Sequence, residues 1–325
     1  MSKSSKKKKS PPVHSGARPA PHGAQRSAPK ARGGRPAGLF TWVAVGLVLV
    51  VVAALVIIKV TSGGTNAGAA GFQATDPATV AEVTNVPTTV FDTVGVTSPV
   101  AQVTAPIKLK GQPLLTGKSA SGATLPHVFY LGGEYCPFCA AERWATIIAL
   151  SRFGTWSGLG NMISSTHPGE IFPGTPTFTF LKAKYKSSYV TFSAIEQYTN
   201  QWDTAKGFYS SLQTPSKWQL ANFKKYDTTK YIPGITAQQD YSIPYITLGD
   251  QFLISGASFT PATLANQTRG QIATGLKDPT SPVTDAIIAT ANYQTAALCS
   301  LTKNKPGNVC TSKGVMAAKK LLGVK

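Results

Sequence analysis

The chain has 325 residues, of which 42% are hydrophobic and 14% charged, and its formal net charge is +19. That apolar content supplies one or two globular domains and excludes a wholly disordered protein. The charge does not make a nucleic-acid binder: residues 1–38 hold ten Lys or Arg and no acid, whereas the chain after Lys59 carries 21 basic against 13 acidic residues, a net of +8. With no nucleic-acid-binding motif beside the basic tract, nucleic acid is not expected as a partner.

In chain order, residues 1–36 are rich in Ser, Pro, Gly and Ala and cannot bury a core, so they are predicted to be a basic, disordered cytoplasmic tail. From Ala37 to Ile58 the chain runs 22 residues without a charge. At helical rise this spans about 33 Å, enough for a bilayer's hydrocarbon core, and residues 37–60 are predicted to be one transmembrane helix. Ten basic residues ahead of it against the single Lys59 at its far end put the N-terminus in the cytoplasm and the rest outside. The expected location is therefore the cell membrane, single-pass, with an extracytoplasmic C-terminal domain. The rival is a cleaved signal sequence processed near Ala67-Gly68-Ala69, but the apolar run is long for a signal and Ala67 lies well beyond it.

Residues 61–105, rich in Thr, Val, Ala and Gly, are expected to be a membrane-proximal linker, with a short helix starting after Asp76-Pro77. Pro106 to Leu115 reads as a strand turning at Gly111, Gly117 to Thr124 as a loop, and His127 to Leu131 as an apolar strand. Next comes Cys136-Pro137-Phe138-Cys139, followed by Ala140, Trp144, Ile147, Ile148 and Ser151 at helical spacing up to Gly154. Pro137 suits the first helical turn, which leaves Cys136 at the cap. There it meets unpaired N–H groups and the positive end of the helix dipole, both of which stabilise a thiolate. Cys136 is the predicted nucleophile and Cys139, one turn inside, the resolving thiol. A zinc site would need two more ligands, and His127 and His167 would supply them only by coincidence of fold; no metal is expected. Tyr135 and Phe138 are expected to form an apolar rim, Trp144 to lie in the core, and Glu134 to be a possible proton acceptor from Cys139, with Glu142 a weaker candidate.

Outside the cytoplasm thiols can be oxidised, so Cys299 and Cys310 are expected to form a structural disulfide. Closing that short loop would stabilise the fold by about 3 kcal/mol. Thr177 to Leu181 and Tyr189 to Phe192 read as strands, and Ser193 to Tyr198 and Lys217 to Tyr226 as helices. Tyr241 to Gly256 reads as a β-hairpin turning at Gly249-Asp250, followed by a helix from Thr260-Pro261 to about Ala273 and another from Thr284 to Leu298.

Strand, CxxC, helix, strand, helix, then Ile243-Pro244 leading into a hairpin and a last helix resembles the thioredoxin fold over roughly residues 107 to 275. The resemblance implies that Pro244 is cis and lies against the dithiol, so that Ile243, Pro244, Tyr135, Pro137 and Phe138 line a substrate groove. More closely, Gly133 to Ala145, Leu150 to Gly154 and Thr175-Pro176-Thr177-Phe178 resemble a mainly actinobacterial and archaeal family of membrane-anchored, thioredoxin-like proteins named only as a domain of unknown function. The fold class expected is α/β: a thioredoxin-like domain at 106–281 with a mainly helical insertion at about 183–239, then a C-terminal helical extension at 282–325. The insertion accounts for the 108 residues between Cys136 and Pro244.

The function expected is a membrane-anchored thiol-disulfide oxidoreductase without a cofactor, working on protein thiols or disulfides outside the cytoplasm and reset by a redox partner. The alternatives are an envelope-binding module in which the CxxC is only a staple, and a metallochaperone. The sequence contains no phosphate-binding glycine loop, no HExxH motif and no internal repeat.

Overall fold

The computed structural model describes residues 71–96 and 102–325. The expected cytoplasmic tail and transmembrane helix lie outside the described residues. Among the described residues no helix is long and apolar enough to cross a membrane.

Two short helices come first, α1 (Pro77–Thr84) and α2 (Thr88–Val94). They are followed by β1 (Ile107–Lys108), β2 (Thr116–Lys118), β3 (Thr124–Gly132) and α3 (Pro137–Ser151). Next are β4 (Gly154–Ser157), β5 (Gly160–Ile163), β6 (Pro176–Thr179), β7 (Lys184–Ser187) and β8 (Thr191–Glu196). Then come β9 (Tyr198–Asp203), β10 (Phe208–Ser211) and α4 (Lys217–Tyr226), and β11 (Tyr245–Leu248) with β12 (Phe252–Ser255). The chain closes with α5 (Arg269–Gly275), α6 (Pro282–Leu301), α7 (Gly307–Cys310) and α8 (Lys313–Leu322). The whole is a mixed α/β fold around one central sheet.

That sheet runs β1-β12-β11-β3-β2, with β8 also pairing β3. Only the β3–β8 pairing is parallel, His127 opposite Thr191 through Gly132 opposite Glu196, and α3 lies in the connection between the two strands. Val128, Phe129, Tyr130 and Leu131 of β3 are all fully buried. Successive side chains of a strand point to opposite faces. Val128 and Tyr130 accordingly join the larger core with α3 and α6, while Phe129 and Leu131 join a second core with Phe223 and Tyr226 of α4. The hairpin β11–β12 turns at Gly249 and Asp250, whose φ values of 63° and 55° are those a two-residue primed turn requires.

Helix α6 is buried from Val283 through Cys299, so its polar residues must find partners inside. They do: Thr284 donates to Gly275 O, Gln294 to Glu142 Oε1, and Asn292 to Phe91 O and Gly95 O. The bonded pair Cys299–Cys310, with Cα atoms 5.6 Å apart, ties α6 to α7.

Four expectations need correction. Residues 77–94 are not a tether: Val83, Val90, Phe91 and Val94 belong to the main core, and Asp76 caps α1 through the Thr79 N–H. Only one short apolar face per helix carries that packing, too little to stand out against the Thr- and Ala-rich background. The insertion at about 183–239 is not mainly helical; it holds β7, β8, β9 and β10 against the single helix α4 and one 3-10 turn. Ser193 to Tyr198, expected to be helical, lies largely in β8, where Thr191 and Ser193 hydrogen-bond the two ring nitrogens of His127. The strand following α3 into the central sheet is therefore β8, while β6 pairs β5 apart from it. The expected helix from Thr260 is a 3-10 turn at Pro261–Leu264 and then α5, broken where Asn266 takes φ 61°.

Phe91 is 3% exposed and has the Arg152 guanidinium 4.1 Å above its ring. Phe91→Ala is expected to lower unfolding free energy by about 3–5 kcal/mol, read from urea denaturation. A loss under about 1 kcal/mol would show that α2 is not part of the folded core.

Candidate active site

Strand β3 ends at Gly132, and four residues later Cys136 caps α3 with extended backbone, φ −76° and ψ 121°. Pro137 follows as the first helical residue, where its missing N–H leaves nothing unsatisfied. The cap geometry brings the Cys139 backbone N–H to 3.3 Å from Cys136 Sγ. The other neighbour of Cys136 Sγ is Ile243 O, 3.8 Å away, and the Ile243–Pro244 bond is cis. Tyr135 stacks on Tyr209 at 4.2 Å and meets Phe208 and Tyr198 edge-on, while Phe138 meets Phe172 edge-on. A cleft of about 470 Å³ has Phe138 in its wall, together with Gln102, Thr104, Ser258 and Phe259.

The two thiols are unbonded and buried, Cys136 at 5% exposure and Cys139 at none. Burial opposes ionisation of both. For Cys136 the thiol and N–H of Cys139, the Arg143 charge and the Phe138 N–H outweigh burial, and its pKa falls below the ordinary 9.0. For Cys139 burial dominates and the neighbouring Cys136 charge adds to it, so its pKa lies well above 9.0 despite Arg143 and the Gly133 N–H. One thiol is poised to be a thiolate and its partner to hold a proton, the division a nucleophile and a resolving group require.

Beneath the pair lies a charged cluster with no exposure. Arg143 donates from Nε to Glu196 Oε1 at 2.9 Å, and from Nη2 to Glu196 Oε2 at 2.6 Å and to Gly133 O at 2.9 Å. Arg143 follows Cys139 by one helical turn, so α3 places it under the sulfurs. Glu196 is the last residue of β8, opposite Gly132 at the end of β3.

A protein-family model described as a domain of unknown function, DUF929, matches residues 116–300, more than half of the chain. The chain belongs to this DUF929 family. The match runs from β2 almost to the end of α6 and so contains every residue of the site. No curated protein and no solved structure is significantly similar to the chain.

Within the DUF929 segment the structure places Cys136, Cys139, Tyr135, Pro137 and Phe138 at the head of α3, with Ile243 against Cys136. The two carboxyl groups named as candidate proton acceptors are both buried. Glu134 is 2% exposed and accepts a hydrogen bond from Thr179 Oγ1 at 2.6 Å. Burial, aided by the Glu196 charge, pushes its pKa up to about 7. Glu142 has no exposure; it accepts from Ser258 N, Ser258 Oγ and Gln294 Nε2, joining α3 to the segment after β12 and to α6. Burial raises its pKa to about 7 against those donors. His127 is held by Thr191 and Ser193, and His167 stacks on Trp202 at 4.0 Å. No group of three His, Cys, Asp or Glu close enough to hold a metal ion occurs among the described residues.

Sequence reading missed Arg143, Glu196 and Tyr130. A signal for the first existed: Cys139, Arg143 and Ile147 fall at i, i+4 and i+8, one face of a helix whose other members are apolar.

A carboxyl near 7 in the folded protein and near 4.5 unfolded keeps its proton on folding. Its contribution to stability is whole below about pH 4.5 and is lost as the pH rises through about 7. Glu134→Gln is expected to flatten the decline of stability across that window, measured as urea midpoints from about pH 4 to about pH 8. A slope identical to wild type would show that Glu134 is charged in the folded state.

Proposed function

We propose that the protein is an extracytoplasmic, membrane-anchored thiol-disulfide oxidoreductase with a thioredoxin-like body. The observation that carries this reading is the unequal setting of two thiols one helical turn apart. Cys136 accepts an N–H at the helix cap under the field of Arg143, while Cys139 is fully buried and disfavours charge. The body supports it too: a parallel β3–α3–β8 unit, the antiparallel hairpin β11–β12 beside β3, and the Ile243-Pro244 turn against Cys136. Anchoring rests on the charge-free run from Ala37 to Ile58 and the basic residues ahead of it.

In the proposed exchange the Cys136 thiolate attacks one sulfur of a disulfide in a protein substrate. The substrate S–S bond breaks, a Cys136 mixed disulfide forms, and the first substrate sulfur departs and takes up a proton. Cys139, after giving up its own proton, attacks Cys136 Sγ; the intramolecular disulfide closes and the second substrate sulfur leaves as a thiol. The protein's dithiol is oxidised by two electrons and the substrate disulfide reduced by two, and the same steps run backward from the oxidised protein. Glu134, nearly neutral-poised and in the buried cluster, is the proposed acceptor of the Cys139 proton. Tyr135, Pro137, Phe138, Ile243 and Pro244 border the attacking sulfur as the proposed substrate groove, and a separate redox partner resets the pair.

Against an inert staple stands that inequality, because a purely structural disulfide has no use for one stabilised thiolate beside one disfavoured one. Cys136→Ser is expected to reduce disulfide exchange by the purified protein to the uncatalysed background. Cys139→Ser should accumulate mixed disulfides, visible as adducts on non-reducing gels. Wild-type exchange rates in both variants would refute the reading.

A further inference from the structure

Two buried hydrogen-bond donors beneath the dithiol have no partner. Tyr130 Oη, at the end of a side chain with no exposure, makes no hydrogen bond, and neither does Arg143 Nη1, although Nε and Nη2 of the same guanidinium are fully engaged. Leaving such a donor unsatisfied is costly, and native proteins keep few of them without a purpose. Both lie at Cys139. The guanidinium sits 5.7 Å from the centre of the Tyr130 ring. Gly132 supplies the third side: a Cβ there would overlap the Tyr130 hydroxyl and stand only 3.0 Å from Cys139 Sγ. The absence of a side chain at 132 is what lets the hydroxyl and the sulfur face one another.

Resting on the exchange reading above, we propose that the Tyr130 hydroxyl and Arg143 Nη1 form a preorganised donor pocket that takes up the negative charge of Cys139 while it resolves the mixed disulfide. The difficulty this pocket answers is physical. Cys139 must become a thiolate to attack Cys136 Sγ, yet it lies where no water relieves the charge. Donors fixed in advance, in a dry site, stabilise a charge that develops during the reaction without reorganising. The groups facing Cys139 are Cys136 and Arg143 from α3 and Tyr130 from β3, with Glu196 of β8 and Glu134 of the β3–α3 turn around Arg143. Arg143 is the permanent cation among them, and Glu196 takes only its Nε and Nη2. Burial keeps the Tyr130 hydroxyl protonated, and charge on either cysteine strengthens that, so it acts as a donor throughout. In the resolving step the Cys139 proton leaves to Glu134, the Cys139–Cys136 bond forms, and the Cys136–substrate S–S bond breaks with its electron pair on the departing substrate sulfur.

The test uses an aromatic disulfide whose thiol product is coloured, such as 5,5′-dithiobis(2-nitrobenzoate), added to the reduced full-length protein. The first equivalent of coloured thiol reports attack by Cys136 and the second reports resolution by Cys139. Tyr130→Phe keeps the ring that packs edge-on against Phe180 and removes only the hydroxyl. It is expected to slow the second release about tenfold more than the first, the loss expected for one hydrogen bond to a charged group, and to displace the pH profile of the second release to higher pH. A second measurement avoids the disulfide altogether. In Cys136→Ser protein, alkylation of Cys139 by iodoacetamide should shift to higher pH when Tyr130→Phe is added. If both releases slow equally and the Cys139 alkylation profile does not move, the pocket is refuted. If the unaltered protein releases no coloured thiol at all, the exchange reading itself fails, and this outcome is distinct from the first.

Discussion

The buried ion pair between Arg143 and Glu196 is the contact on which the site depends. It joins the first turns of the CxxC helix to the end of the strand that runs parallel to β3. Through Nη2 it also holds the Gly133 carbonyl, and Glu196 Oε1 accepts the Phe180 N–H while the Glu196 N–H donates to Gln213. Four separate stretches of chain are thereby fixed around one guanidinium. Two charges buried without water are expensive to desolvate, and removing one partner of such a pair typically costs about 3–5 kcal/mol. Guanidinium is the group suited to the position, because it stays charged when buried and its planar fork meets a carboxylate at two points. A lysine would lose its proton more readily there and could not reach Glu196 and Gly133 O with the same geometry.

That fixed cation lies beneath two buried thiols whose pKa values move in opposite directions. The dipeptide between them, Pro137-Phe138, contributes no ionisable group. Both sulfurs experience Arg143, so the cation alone cannot separate them. What separates them is the helix end: Cys136 stands outside the first turn and receives N–H groups, whereas Cys139 stands inside it, where backbone donors are already turning toward carbonyls. A unit of negative charge on the pair therefore settles on Cys136 first, and its presence makes a second charge on Cys139 harder to place. Any resolving step must overcome that, which is why unpartnered donors on the Cys139 side matter more than they would beside an exposed sulfur.

How much of this was legible followed the range of the interactions. The cap, Pro137 at the helix start, the apolar stripe through Trp144 and Ile148, and the Gly249-Asp250 hairpin are set by neighbours within a few residues, and each appears where the local pattern put it. The Ile243 carbonyl ahead of Pro244 lies 3.8 Å from Cys136 Sγ. Contacts made across long separations were not legible. Glu196 meets Arg143 across 53 residues, and nothing local to Glu196 distinguishes it from a surface acid. Ser193 to Tyr198 suggested a helix because its order of polar and apolar residues fits either period, and only pairing with β3, with His127 hydrogen-bonded to Thr191 and Ser193, decides for a strand. The burial of Glu134 and Glu142 was not legible for the same reason: their partners Thr179, Ser258 and Gln294 lie far along the chain.

The four cysteines make the same point about chemistry. Cys299 and Cys310 are as buried as Cys139, yet they are joined to each other within the apolar core that includes residues of α6 and α8. For such a pair, opening the bond would strand two neutral thiols in a core that gains nothing from either, so the closed form is the one that packing favours. At Cys136 and Cys139 there are groups that favour a charged sulfur instead, the capping Cys139 N–H and the Arg143 charge. The residue type and the burial are shared by the two pairs, and the polar groups directed at the sulfurs differ. That difference sets the pair that ties the C-terminal helices together apart from the pair for which exchange is proposed.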